Sequence, residues 1–170
     1  MAESILNTKR VLAVDDEPDV LDVLEDEIIS YAPNCVVEKA TSYQQAAKKI
    51  ESQSYDVVVL DIMGVRGFEL LEQAVKRNLP TAMLTAHSLN PESLRRSIEM
   101  GARSYLPKEK LGEIVPFLED ILEEADGLTG WAGLMNKLEG YFVNRWGEFW
   151  KKSEEGFWID FEKKTSRTKK

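Results

Sequence analysis

Over roughly the first 125 residues, short apolar runs alternate with amphipathic stretches, the pattern of repeated strand–helix units. The runs that read as strands are Arg10–Val14, Val36–Lys39, Val57–Leu60, Thr81–Leu84 and Ser104–Leu106. Between them the spacing predicts helices. Glu17–Tyr31 carries Val20, Leu21, Val23, Leu24 and Ile28 at near-helical intervals, and Ser42–Ser52 follows Thr41 or Ser42 as N-cap. Phe68–Arg77 follows Gly67. Asn90-Pro91-Glu92-Ser93 is a helix start with proline in the first helical position, and Gly101 ends that helix. Glu113–Ala125 is the fifth helix. Strict alternation of five strands with five helices predicts an α/β domain over residues 1–126, a parallel sheet with helices on both faces.

The pattern changes at Asp126-Gly127-Leu128-Thr129-Gly130, so that 127–170 reads as a mainly helical C-terminal extension. All four tryptophans, Trp131, Trp146, Trp150 and Trp158, lie beyond this point. Trp131, Leu134, Met135, Leu138, Phe142, Trp146 and Phe149 share one broad helical face, which predicts a helix over about 130–152. Gly133, Gly140 and Gly147 fall opposite, and each costs a helix about 1 kcal/mol relative to Ala, so this helix needs packing contacts to persist. Aromatic doublets at 141/142, 149/150 and 157/158 suit strands instead, and 153–162 is left open. The basic end, Lys163–Lys170, is expected to be disordered. The aromatic extension has two arrangements open to it: docking on the preceding domain, or pairing two chains as a homodimer.

Composition narrows the function class. The 170 residues carry a net charge of −8, which argues against nonspecific binding of DNA. The charge is uneven: from Leu128 onward nine Lys/Arg meet six Asp/Glu, against 13 and 24 before it. No apolar stretch approaches the ~18 to 20 residues of a membrane span, and the N-terminus lacks a secretion signal, so the expectation is a cytoplasmic protein. One cysteine and one histidine exclude an internal disulfide and argue against zinc chemistry. Cys35 reads as a small buried apolar residue.

The chemistry lies at the strand ends. Val11-Leu12-Ala13-Val14 runs into Asp15-Asp16, and Val57-Val58-Val59-Leu60 into Asp61. In a parallel sheet both ends lie on one edge, where open α/β folds place their ligands. Three carboxylates meeting there repel one another unless a divalent cation sits among them, and hard, oxygen-liganded Mg²⁺ is the natural candidate. The fourth strand delivers Thr85 and the fifth Lys108. Acid, hydroxyl and ammonium together form a phosphoryl-handling set: Lys108 and the cation neutralise phosphate oxygens, and Thr85 donates to one of them. Asp61 is the nucleophile of choice, since a carboxylate can accept a phosphoryl group as an acyl phosphate.

Val14-Asp15-Asp16-Glu17, Val59-Leu60-Asp61-Ile62-Met63, Leu84-Thr85-Ala86 and Gly101-Ala102-Arg103-Ser104-Tyr105-Leu106-Pro107-Lys108 together resemble the receiver domain of two-component response regulators, over residues 9 to 125. The resemblance implies a flavodoxin-like doubly wound fold and a signalling switch rather than a turnover enzyme. It implies phosphoryl transfer to Asp61 from a partner histidine kinase or phosphotransfer protein, with later self-dephosphorylation. It also implies Mg²⁺ held by Asp16, Asp61 and the Met63 backbone carbonyl, with Asp15 acting through water. In the implied switch Thr85 moves toward the phosphoryl group and Tyr105 turns inward behind it. Met63 and His87 are implied to border the phosphoryl group and tune its hydrolysis, although His87 also reads as a surface loop residue and Tyr105 as packing.

Three departures from the family pattern stand out. The loop Gly64-Val65-Arg66-Gly67 is about two residues shorter than usual and lacks proline. Glu109, not proline, follows Lys108, so this peptide bond is trans or else a strained exception. No helix-turn-helix or catalytic motif is recognised after the domain, so output through protein contacts is the expectation. Two other readings remain: a degenerate, unphosphorylated receiver acting as a binding module, and a Mg²⁺-dependent phosphohydrolase. Met63 stands where such phosphatases place a second acid, which argues against the latter.

Overall fold

The computed structural model describes residues 3–123 and 128–168. Five strands, β1 (Arg10–Val14), β2 (Val36–Ala40), β3 (Val57–Asp61), β4 (Thr81–Thr85) and β5 (Ser104–Pro107), form one sheet in the order β2-β1-β3-β4-β5. Every neighbouring pair is parallel. The chain first steps from β1 outward to β2, then reverses across β3, β4 and β5. Right-handed crossovers therefore put α1 (Pro18–Tyr31) on one face and α2 (Tyr43–Ser52), α3 (Gly67–Lys76) and α4 (Pro91–Glu99) on the other. Beside α1 lies α5 (Ile114–Glu123). This is the flavodoxin-like doubly wound fold, with its switch point between β1 and β3.

Sequence dictates these elements locally. β3 and β4 are buried along their whole length, as strands covered on both faces must be. Ser42 and Asn90 cap α2 and α4 by accepting hydrogen bonds from the Gln45 and Ser93 amides. The five predicted strands agree with the structure to within one residue. The expected domain boundary at 126/127 lies outside the described residues.

Beyond the sheet stand α6 (Leu128–Trp146) and α7 (Glu155–Thr168), joined by a turn and a short 3₁₀ segment, Lys152–Glu154. α6 packs against β5 and α5, so it covers the edge strand that would otherwise offer unpaired backbone. Trp131 anchors its start: the indole is buried and Nε1 donates to the Ala102 carbonyl at 2.9 Å. Trp131→Phe removes that donor inside the packed interface, and an expected loss of about 1–3 kcal/mol is readable in a urea titration.

Two expectations about the extension differ from the structure. The helix ends at Trp146, not near 152, because Gly147 adopts φ +92°, a left-handed stop. Phe149 thereby leaves the aromatic face and is 70 % exposed. The end expected to be disordered is helical through Thr168. Trp158, Phe161 and Thr165 are buried at helical spacing along α7, which packs on α6, and Lys164 pairs with Asp160 at 3.3 Å.

Candidate functional site

The C-terminal ends of β1, β3, β4 and β5 bring Asp15, Asp16, Asp61, Thr85 and Lys108 to one edge of the sheet. Asp15 is fully buried, Asp61 nearly so, and Asp16 is exposed at the rim. One carboxylate oxygen from each lies within 4.8 Å of the others. Lys108 reaches in from the segment after β5, with Nζ 2.8 Å from Asp15 Oδ2 and 3.3 Å from Asp61 Oδ1. Glu17 stands farther off at 3.8 Å, and its amide donates to Asp15 Oδ1 at 2.9 Å, which fixes the Asp15 side chain.

Burial and mutual repulsion govern the charges. Burial, then the charge of Asp15, pushes the Asp61 carboxyl up to about 7, against the pull of Lys108. Burial likewise raises Asp15, with Lys108 opposing. For Lys108 burial disfavours the ammonium, but the two aspartates outweigh it and its pKa rises. One cation thus faces three carboxylates. Asp15 Oδ2 is buried, and the polar group it faces is the Lys108 ammonium at 2.8 Å. An all-oxygen set with surplus negative charge fits a hard divalent cation such as Mg²⁺.

The short loop after Asp61 is built around two close approaches. Gly64, at φ +88°, lies against the Asp16 carboxylate, where a Cβ would stand 2.5 Å from Cγ. Gly67 opens α3 directly against β3, and its amide donates to the Ile62 carbonyl at 3.1 Å. Val65 is buried beneath the loop, and the Met63 side chain is half-exposed at its outer edge. The described chain contains no cis peptide, so the Lys108–Glu109 bond is trans.

Thr85 is buried, and its Oγ1 accepts from the Ser88 amide at 3.0 Å. His87 sits exposed in the loop that follows. Tyr105 is fully buried on β5, its hydroxyl 2.7 Å from Ser93 Oγ and 3.4 Å from the Ser88 carbonyl, and burial pushes its pKa up to about 12. Cys35 is buried, as expected, and its thiol is pushed up to about 11.

Sequence reasoning missed the contribution of the extension to this edge. Thr85, Lys108 and Glu109 share a pocket of about 230 Å³ with Tyr141 and Arg145 of α6. The Tyr141 hydroxyl donates to Glu109, and the Arg145 guanidinium stands 4.0 Å from it. Phe142 meets Tyr105 edge-on at 6.4 Å. Nothing in a one-dimensional pattern pairs residues 32 apart; the substitution of Glu109 for proline beside an aromatic tail was the one available signal.

The family profile of the response regulator receiver domain matches residues 11–118. Similarity extends to a two-component response regulator of Arabidopsis thaliana, 36 % identical over 103 residues, covering 58 % of this chain and 16 % of that protein. It extends also to the gliding motility regulatory protein of Myxococcus xanthus, 32 % identical over 127 residues, covering 71 % and 15 %. The chain therefore spans about a sixth of either relative. Among solved structures, a CheY-like response regulator receiver domain from Methanospirillum hungatei superposes with a TM-score of 0.56 at 26 % identity, over 69 % of this chain and 98 % of that one. No helix among the described residues is long and apolar enough to cross a membrane. With the fold, the acidic edge and residues 11–118 in agreement, the chain belongs to the response regulator receiver domain family.

Proposed function

We propose that the chain is a phosphorylation-dependent switch that accepts a phosphoryl group on Asp61 from a histidine kinase or phosphotransfer protein, and passes the signal on by protein contacts through its C-terminal extension. The observation that carries this reading is the meeting of the buried Asp61 carboxylate with Lys108, 3.3 Å away, inside an acidic cluster. Asp61 attacks phosphorus, the bond to the donor histidine nitrogen breaks, and the departing imidazole keeps the electron pair. Lys108 faces the charge on the phosphoryl oxygens, and the Thr85 hydroxyl donates to one of them. Asp15, Asp16, Asp61 and the Met63 carbonyl are the groups that would hold Mg²⁺. When bound, the ion neutralises carboxylate and phosphoryl charge together. Met63 and His87 border the entrance and tune water access to the acyl phosphate.

Met63 stands two residues after Asp61, where a turnover phosphatase carries its second acid, and this favours a single-event acceptor over a turnover nucleophile. Intact mass after incubation with Mg²⁺ and a small acyl-phosphate donor is expected to rise by one phosphoryl group in the wild type and not in Asp61→Asn. Lys108→Ala is expected to slow the gain by about 100-fold, the scale of losing one preorganised charge partner. No mass gain from the small donor or from a phosphorylated histidine donor protein would favour a constitutive binding module instead.

A further inference from the structure

Helix α6 touches two of the chain segments that leave the site, those after β4 and β5. On one side, Tyr141 and Arg145 engage Glu109, the residue after Lys108. On the other, Trp146 Nε1 donates to the Leu89 carbonyl at 3.4 Å, in the loop that runs from Thr85 to α4. That loop is held at several points, and the Ser93 hydroxyl donates to its Ser88 carbonyl. Its Ser88 amide donates to Thr85 Oγ1, its Ser88 carbonyl lies 3.4 Å from the Tyr105 hydroxyl, and Leu89 is held by Trp146. Beneath it Tyr105 is backed by Phe142, which is itself fully buried and stacked on Trp146 with ring centres 4.5 Å apart.

In this arrangement Thr85 Oγ1 is an acceptor toward the loop, so its own proton is left for an oxygen outside the loop. Lys108 and Thr85 also border one pocket. The docked extension therefore contacts the chain beside both phosphoryl-facing groups, at Leu89 in the loop after Thr85 and at Glu109 after Lys108. We infer that docking of the α6–α7 extension and occupation of the phosphoryl site on Asp61 reinforce each other, through the Leu89–Trp146 and Tyr105–Phe142 contacts. The inference rests on the phosphoacceptor reading above and adds the sign and the route of the coupling. Linkage makes it reciprocal: whatever factor the phosphoryl group adds to docking, docking adds to affinity for the phosphoryl group.

The arrangement provides its own reporter, since every tryptophan lies in the extension. Fluoroberyllate, a phosphoryl mimic, is titrated into the full chain with Mg²⁺, following tryptophan emission and, by calorimetry, affinity. The expected result is an emission change in the wild type that is absent in Asp61→Asn. Affinity is expected to weaken about fivefold or more in Phe142→Ala, within the usual range of coupling between sites. Trp146→Phe keeps a ring on Phe142 but loses the donor to Leu89, and is expected to weaken affinity about threefold even where Phe142→Ala does not fold. Unchanged emission, or equal or tighter affinity in the folded variants, overturns the coupling. Absence of binding by the wild type overturns the phosphoacceptor reading itself.

Discussion

Gly67→Ala is expected to destabilise the chain by about 3 kcal/mol or more, at the severe end of overpacking, and to disturb Asp61 at the same time. A Cβ on Gly67 would stand 2.1 Å from the Asp61 carbonyl oxygen and 2.8 Å from the Ile62 Cα. Both are backbone atoms at the end of a buried strand, so neither can rotate away as a side chain could. Relief requires either that α3 slide off the sheet, uncovering the buried Leu70, Leu71 and Ala74, or that Asp61 shift from its place beside Lys108. A urea or guanidinium titration checks the stability, and the rate of mass gain with an acyl-phosphate donor checks the site. Gly140→Ala is the internal control. It lies inside α6 with nothing within 4 Å of the added methyl, and should gain about 0.5–1 kcal/mol from helix propensity. If Gly67→Ala cost no more than about 1 kcal/mol, the backbone at the join of α3 and β3 would yield to a methyl group and would not be what holds Asp61 in place.

That join marks the limit of what the sequence discloses. The strands were legible because a strand buried on both faces must be apolar throughout, and β3 and β4 are. The carboxylate edge followed from topology: once strands are parallel, residues at their C-terminal ends must meet, and Asp15, Asp61 and Lys108 do. Helix α4 was legible from local chemistry, Asn90 as cap, Pro91 in the first turn and Gly101 at φ +97° after its end. The length of the loop after Asp61 could be counted in the sequence but the close approach of Gly67 to the Asp61 carbonyl could not, because that contact is a packing fact. Gly147 misled for a related reason. At a seven-residue spacing it reads as one of three glycines on a helix back, whereas the chain uses it to stop α6 and return Trp150 and Trp158 to the aromatic cluster. The basic run at the end concealed the buried side of α7 because a lysine-rich composition speaks only for the exposed face. Glu109 with Tyr141, and Leu89 with Trp146, are tertiary pairings that no periodicity encodes.

Asp61→Asn, which removes the proposed phosphoacceptor, is expected to be more stable than the wild type at pH 8 without divalent cation, by about 1–3 kcal/mol. The Asp61 carboxyl is held up to about 7 by burial and by the Asp15 charge, whereas in an unfolded chain it titrates near 3.9, roughly three units lower. Between those values the folded chain keeps a proton that the unfolded chain has lost. Fewer protons on the unfolded state mean that stability falls as pH rises through this window, and that the full cost is present above about 7. Three units correspond to about 4 kcal/mol as a ceiling; Lys108, which loses one of its partners in the variant, brings the expected gain below it. The melting temperature of Asp61→Asn should therefore exceed that of the wild type by several degrees at pH 8, with the gap closing toward pH 4. Mg²⁺ should close it from the other side, stabilising the wild type by binding the folded state more than it stabilises the variant. A variant less stable than wild type at pH 8 would mean that Lys108 already compensates the cluster, and the case for a cation among Asp15, Asp16 and Asp61 would lose its electrostatic ground. The expected sign makes the acidic edge a destabilised site, where burial and the mutual repulsion of Asp15 and Asp61 cost stability that solvent and simple packing do not relieve.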